Sequence, residues 1–336
     1  MSYDAFDTRV MIRAMEQVKS PRTFLKNAFF AEDNFYDKDN IDIDISDTKR
    51  RVASHVSEII GSVDVSRDGY ISQTYKPALI SLERSILPSD LKPRMLGENI
   101  YSSSNANDRQ VNLVAKTLSS LDEMITRKEE LMCRQALFEG GVTISGEGLV
   151  TTKIPFPIPN ETLPANAQWN TATAKIMDDL IRFRREILKN SGIDANIGVL
   201  GANVYSSFLN NETIQKLLDK RRLNIGETAP EYKFASGVTY IGNILGIDLY
   251  GYDEFYFDGT TDAPIVPLDK VLIGSKEART EMSYSVVYDA DIGSFSKKRI
   301  VKSWSEQRNG TKIIQVKAKP LPLVHQPQAF YLAKVL

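Results

Sequence analysis

One stretch limits what this chain can fold into more than any other. Between Ser102-Ser103-Ser104 and Gly140-Gly141, apolar residues fall at Val111, Val114, Leu118, Leu121, Ile125, Met132 and Ala136. Steps of three, four and seven keep these side chains on one face of an α-helix, with Lys128 interrupting the stripe. The paired glycines end the pattern. Roughly 36 residues at about 1.5 Å each make a rod of about 54 Å. A helix longer than about 25 residues belongs to a coiled coil, a repeat or a strut. The sequence offers no second helix of matching length, so the expectation is a strut laid across a sheet.

The segments before the rod read differently. Residues 1–30 form a weakly amphipathic arm ending in Phe29-Phe30, which the sequence favours slightly as a loosely held terminus over an arm ordered by a neighbouring subunit. Residues 32–47 are acidic, and Ile41-Asp42-Ile43-Asp44-Ile45 alternates strictly, so a strand there puts isoleucine on one face and aspartate on the other. The run lacks the pattern and turn glycine of a calcium loop and reads as a solvated strand face. Residues 52–98 read as an extended β-hairpin arm, with Asp68-Gly69 at its turn because both residues tolerate positive φ.

After the rod, Ile154-Pro155-Phe156-Pro157-Ile158-Pro159 is unsuited to a helix or a central strand and reads as a stiff connector between domains. An α/β region follows. Helices are expected over 171–189, 202–209 and 213–218. Strands are expected over 197–201, 237–240, 247–252, 271–273, 283–288, 299–304, 312–319 and 330–335.

A length of 336 residues gives a prior of roughly two domains. With 42% hydrophobic and 25% charged residues, the composition excludes a disordered, collagenous or disulfide-framework chain. The formal net charge of −1 leaves no overall basic field to draw nucleic acid. The N-terminus has neither the basic nor the apolar region of a secretory signal, and no apolar run is long enough to span a bilayer, so the expectation is a soluble protein used inside a cell. The single cysteine, Cys133, excludes an internal disulfide and is expected to be buried and inert within the rod.

Catalytic chemistry is poorly represented. His55 and His325 are the only histidines, and His55 with Glu58 would point to opposite faces of a strand. Nucleophile-elbow and phosphate-loop motifs are absent. Asp178-Asp179, and Asp289 with Asp291, are carboxylate pairs of a kind that arises by chance among 43 acidic residues. Gly198 and Gly201 make only a fragment of a dinucleotide fingerprint. Lys220-Arg221-Arg222 is the densest basic cluster. It and the acidic pair Asp42 and Asp44 are the candidates for subunit contacts, with a solvated face as the alternative in each case. No metal or cofactor is called for. The combination favours assembly over catalysis, and an enzyme using a carboxylate site is the alternative.

Several segments, in order, resemble the phage major capsid protein E family, the lambda-type major capsid proteins. Glu129-Glu130-Leu131, with Gln135 and then Gly146-Glu147, resembles the end of the family's long helix and the strand after it. Trp169 followed by Asp178-Asp179 resembles the start of its second domain, without the proline that often precedes the acidic pair. Asn196-Ile197-Gly198-Val199-Leu200, Phe208 and Leu218-Asp219-Lys220-Arg221-Arg222 are similar in type and spacing. So are Pro267-Leu268-Asp269-Lys270-Val271-Leu272-Ile273-Gly274, Ala278-Arg279, Tyr284 and Asp289-Ala290-Asp291. Lys302-Ser303-Trp304, Gln315, Lys319-Pro320-Leu321-Pro322-Leu323 and Pro327 resemble its final strands.

The resemblance implies an α+β fold, the tailed-phage major capsid fold of Hong Kong 97 type. Its parts would be an N-terminal arm (1–30), an extended β loop (31–100), a spine helix (101–141), a peripheral domain (142–170 with 296–336) and an axial domain (171–295). It implies hexamers and pentamers of this chain forming an icosahedral shell around double-stranded DNA, assembled as a precursor with scaffold and portal proteins and then expanded. A decoration protein on the outside, non-specific contact with packaged DNA on the inside and no membrane partner belong to the same picture. So does a location in the virion, with assembly in the host cytoplasm. An encapsulin-like cargo compartment on the same fold is the alternative.

Overall fold

The computed structural model describes residues 11, 15, 23–46, 70–87, 89, 106–171, 174–221, 237–291, 293–306 and 310–336. The expected rod is one helix. In chain order come α1 (Phe24–Phe29), β1 (Asp33–Tyr36), β2 (Ile41–Ser46), β3 (Tyr70–Tyr75), β4 (Ile80–Ile86) and the 33-residue α2 (Ala106–Phe138). Next are β5 (Gly141–Ile144), β6 (Thr152–Pro155), β7 (Asn160–Thr162), α3 (Ile176–Ser191), β8 (Ile197–Leu200), α4 (Ala202–Asn210) and α5 (Glu212–Arg221). Then follow β9 (Val238–Ile244), β10 (Ile247–Tyr252), β11 (Phe255–Phe257), β12 (Asp262–Pro264), β13 (Lys270–Gly274), β14 (Thr280–Ser285), β15 (Val287–Asp289) and β16 (Gly293–Phe295). The chain closes with β17 (Ile300–Glu306), β18 (Thr311–Ala318), β19 (Pro320–Val324) and β20 (Phe330–Lys334).

A six-stranded mixed sheet, ordered β7-β20-β13-β8-β10-β9, forms the central layer. Its strands alternate. Ile197, Val199, Leu272 and Leu332 point to the face that meets α1 and the end of α2, while Leu200, Val271, Ile273 and Ala333 point to the face covered by α3 and α4. The amphipathic α3 presents Ile176, Leu180, Phe183 and Ile187 to that second core. The first half of α2 lies on a separate sheet, β17-β18-β4, through Val114, Leu118, Leu121 and Ile125. The spine helix is therefore a strut across sheets, about 50 Å long, joining two cores. Val111, expected in the stripe, is 51% exposed, so the buried face begins at Val114.

Two expectations are corrected. Phe24, Leu25, Phe29 and Phe30 are buried in the core shared with the six-stranded sheet, so the last part of the arm is held firmly. Each such side chain contributes about 1.5–3 kcal/mol. Of residues 1–22, Met11 and Met15 are described, and both are buried against the first half of α2. The proline-rich segment is core rather than connector. Ile154, Phe156 and Ile158 are buried, Pro155 ends a strand paired with β5, and β7 takes the sheet edge, where a missing N–H is tolerated.

Smaller differences follow local chemistry. The helix expected from 171 starts at Ile176, and the strand expected over 283–288 divides into β14 and β15. The alternating Ile41-Asp42-Ile43 run is a strand with Ile41 and Ile43 buried, paired antiparallel to β3. The Asp68-Gly69 turn and the strands expected over 52–65 lie outside the described residues. Gly198 and Gly201 are packing positions. A Cβ on Gly198 would stand 2.6 Å from Leu249 Cδ2, and one on Gly201 would stand 2.2 Å from the Pro267 carbonyl oxygen.

Candidate functional site

The apolar stripe of α2 steps from Ile125 to Met132, the point where one core ends and the other begins. Charged groups fill that gap. Glu129 and Glu130 are buried there, and Asp122, just before Ile125, is a third buried carboxylate, with the neutral Thr126 buried beside it. Burial of unpaired charge is prohibitive, so each of these needs partners, and distant segments supply them.

Arg299, just before β17, reaches three residues of α2. Its Nε donates to Asp122 Oδ1 at 2.7 Å, its Nη1 to Glu129 Oε1 at 2.6 Å and its Nη2 to the Thr126 hydroxyl at 3.1 Å. Lys26 of α1 donates from the other side, to Glu129 Oε2 at 2.7 Å and to the Tyr284 hydroxyl at 2.9 Å. Burial pushes the Glu129 carboxyl up, but the Arg299 and Lys26 charges outweigh burial and hold it below the usual carboxylate range. Glu129 thus bonds α2 to α1 and β17, and through Tyr284 to β14.

Glu130 does a different task one residue on. Its Oε1 accepts the backbone N–H groups of Phe24 (3.1 Å) and Leu25 (2.7 Å), and its Oε2 accepts that of Lys26 (2.9 Å). These are donors that the first turn of a helix cannot satisfy by itself. α1 has no capping side chain of its own, and Thr23 makes no cap bond. A carboxylate from another element supplies the cap and complements the helix dipole. The Tyr252 hydroxyl lies 3.1 Å from the same oxygen and 2.7 Å from Glu254 Oε2, and its single proton is shared between the two carboxyl groups. Burial raises the Glu130 carboxyl, while the backbone N–H groups pull it down.

Past α1 the fastenings become polar. β1 pairs parallel to β14, and Glu281 on β14 accepts from Asn34 and, at 2.7 Å, from the Tyr36 hydroxyl. Burial opposes ionisation of Glu281, yet hydrogen bonds from His325, Tyr36, Asn34 and Ser283 lower its pKa to about 2. Burial and Glu281 together push the Tyr36 hydroxyl up to about 12. Asp33 pairs with Lys298 at 3.2 Å, and Asp39 accepts from both Lys76 and Lys319.

The residues singled out from sequence fall elsewhere. Asp42 is exposed and accepts from the Thr74 hydroxyl at 2.6 Å, and Asp44 pairs through its backbone with Ser72. Lys220 and Arg221 end α5, with side chains outside the described residues, and Arg222 lies outside them altogether, as do His55 and Glu58. Asp179 accepts from the Trp169 indole at 3.0 Å and from Arg182 at 3.1 Å. Asp289 accepts from Lys302 and Lys317, which hold its carboxyl well below the usual range. Cys133 is fully buried, and burial pushes its thiol up. Among the described residues no three His, Cys, Asp or Glu side chains are placed to hold a metal, and no helix is long and apolar enough to cross a membrane.

A strut helix with its buried charges consumed in holding distant segments is a structural device. The chain belongs to the phage major capsid protein E family, which matches residues 7–335. That is a family of capsid structural proteins, not an enzyme class. The major capsid protein of Escherichia phage lambda is 22% identical over 288 residues, 83% of this chain and 84% of that one. Among solved structures, a prophage capsid protein from E. coli CFT073 superposes with a TM-score of 0.75 at 17% identity, covering 98% of this chain and 99% of the other. A phage-related protein from Bordetella bronchiseptica RB50 gives 0.59 at 11% identity, covering 99% and 98%. A subunit of the mature capsid of bacteriophage PhiM1 gives 0.51 at 10% identity, covering 94% and 88%. At these identities the likeness establishes the fold: the α+β, Hong Kong 97-like capsid fold.

Proposed function

We propose that this chain is the shell subunit of a tailed-phage head, assembling as hexamers and pentamers around double-stranded DNA. The observation that carries the reading is the family match across residues 7–335. The subdivision that goes with it has an arm (1–30), a β loop (31–100), the spine, a peripheral domain (142–170 with 296–336) and an axial domain (171–295). The parallel pairing of β7 with β20 supports joining 142–170 to 296–336, and β20 also pairs with β13. Assembly would pass through a precursor shell with scaffold and portal proteins in the host cytoplasm. Expansion would then move rigid plates, with loops re-docking. A decoration protein outside and packaged DNA inside complete the partner set. The formal net charge of −1 suits a wall that must not adhere to its DNA. The phage lambda relative favours a DNA container over an encapsulin-like cargo compartment.

Electron microscopy of the purified protein, alone and with its neighbouring phage genes, tests this. Closed shells or capsomer rings are expected. A stable monomer in both preparations overturns the reading, and a co-purifying cargo peptide inside shells redirects it to a compartment. Replacing Lys220, Arg221 and Arg222 with alanine tests them as subunit contacts: weaker assembly with altered salt dependence is expected, and no change makes them a solvated face.

A further inference from the structure

Among the described residues, a convex and a concave apolar feature are exposed. The convex one is the β11–β12 hairpin. Strand alternation turns Tyr256 into the main core and leaves Phe255 and Phe257 side by side on the outer face, 53% and 66% exposed. The hairpin is preorganised. Asp258 Oδ1 accepts the backbone N–H groups of Thr260 at 2.8 Å and Thr261 at 2.9 Å, and Gly259 takes φ +103° at the turn. Residues 253–264 carry Asp253, Glu254, Asp258 and Asp262 and no lysine or arginine.

The concave feature is a groove of about 500 Å³ between the β3–β4 connection and the β5–β6 hairpin. Leu79, Leu149 and Val150 wall it, 48%, 47% and 86% exposed, with Tyr75 and Ile144 beneath. Lys76 stands exposed on its rim and Lys319 lies buried beneath, and Asp39 pairs with both, which leaves one positive charge in excess. Within one chain neither feature covers the other.

We propose that the Phe255–Phe257 hairpin of one copy of this chain docks in the Leu79, Leu149 and Val150 groove of the next copy. Two phenylalanine rings fill the apolar groove, and the acidic flanks of the hairpin meet the cationic rim. Complementary charge selects this pairing and steers its approach. Because the two patches differ, the contact is heterologous and runs head to tail, the kind that closes rings. The inference rests on the shell-subunit reading and adds a specific contact to it.

The test is a disulfide made in assembled shells. Phe257→Cys and Val150→Cys are combined in one chain, with each single variant as control. Cys133 is fully buried and stays silent. A covalent ladder on a non-reducing gel, dependent on both cysteines, is expected. Shells that form and give no ladder overturn the docking while leaving the capsid reading intact. Failure of the unsubstituted chain to assemble overturns the capsid reading itself. If the double variant does not assemble, unsubstituted shells treated with a carbodiimide decide the matter. A zero-length link from Lys76 to Asp258 or Asp262 of another copy is expected, and its absence from otherwise cross-linked shells refutes the docking.

Discussion

Glu130→Gln offers the sharpest test of the junction on the spine helix. Both carboxylate oxygens act as acceptors: Oε1 takes Phe24 N–H, Leu25 N–H and the Tyr252 hydroxyl, and Oε2 takes Lys26 N–H. Glutamine has nearly the same shape but only one acceptor oxygen. Its NH2 group would face a backbone N–H, leaving one buried donor unpaired against another donor. That situation costs about 1–3 kcal/mol. Glu130→Ala strands all three N–H groups and opens a cavity, so its cost should be at least about 3 kcal/mol. Tyr252→Phe is the internal control, because it leaves the three N–H bonds to Glu130 in place and removes only the hydroxyl between Glu130 and Glu254, at a cost of about 1 kcal/mol. Urea unfolding of the dissociated subunit, followed by the fluorescence of Trp169 and Trp304, measures all three. The order Ala, then Gln, then Phe is expected. If Glu130→Gln unfolds like the unsubstituted chain, the carboxylate is not acting as a double acceptor, and α1 is held by burial of its aromatic side chains alone.

Three further outcomes follow from the geometry. Glu281 titrates near pH 2 in the folded chain against an ordinary value of 4.5, so its contribution is complete above pH 4.5 and is lost as pH falls through about 2. Acid unfolding midpoints should show this limb, worth no more than about 3 kcal/mol, and Glu281→Gln should flatten it. Leu245 holds φ +57° in the β9–β10 turn, where a leucine is strained, but its side chain packs on the second core, so Leu245→Asn should change stability by less than about 1 kcal/mol in the same urea assay, the strain relieved offsetting the packing lost. Gly201→Ala should abolish soluble expression or lower stability by several kcal/mol, because its Cβ meets backbone atoms of Pro267 and Leu268 that have no rotamer to escape into. A well-folded Gly201→Ala subunit contradicts that account.

Periodicity made the spine helix legible, since one apolar face kept up over so many turns fits a helix and no strand or loop. α3 was legible for the same reason, and β8, β9, β10, β13 and β20 of the central sheet by their short apolar runs, whereas β7 (Asn160–Thr162) has no apolar residue to announce it. What periodicity hides is a functional polar residue inside an apolar face. The seven-residue step from Ile125 to Met132 was visible, but it registered as an interruption at Lys128, which is exposed. The residue that fills the gap is its neighbour Glu129. Nothing local identifies Arg299 or Lys26 as its partners, because they lie 170 and 103 residues away in sequence. The arm misled for a related reason. Phe24, Leu25, Phe29 and Phe30 carry an apolar signal, but six helical residues are too few to register as an element. Their cap is on another helix, so no capping residue announces them.

The arrangement of those contacts divides the N-terminal segment into two mechanically different parts. α1 is sealed by buried aromatic side chains and by a carboxylate with no route to water. Phe24 packs edge-on to Tyr252 with ring centroids 5.3 Å apart, and Phe29 does the same to Phe330 at 5.6 Å. From Asp33 to Asp39 the backbone ladder of β1 on β14 is reinforced by ion pairs and side-chain hydrogen bonds to Glu281, Lys298, Lys319 and Lys76, and Phe35 is 51% exposed. Salt and pH act on the charged side chains of the second set and scarcely on the first. Beyond Asp39 the chain returns to the main core through Ile41 and Ile43, so loosening the polar stretch leaves the β2–β3 hairpin anchored. The boundary between the apolar seal and the polar fastenings falls between Phe30 and Asp33.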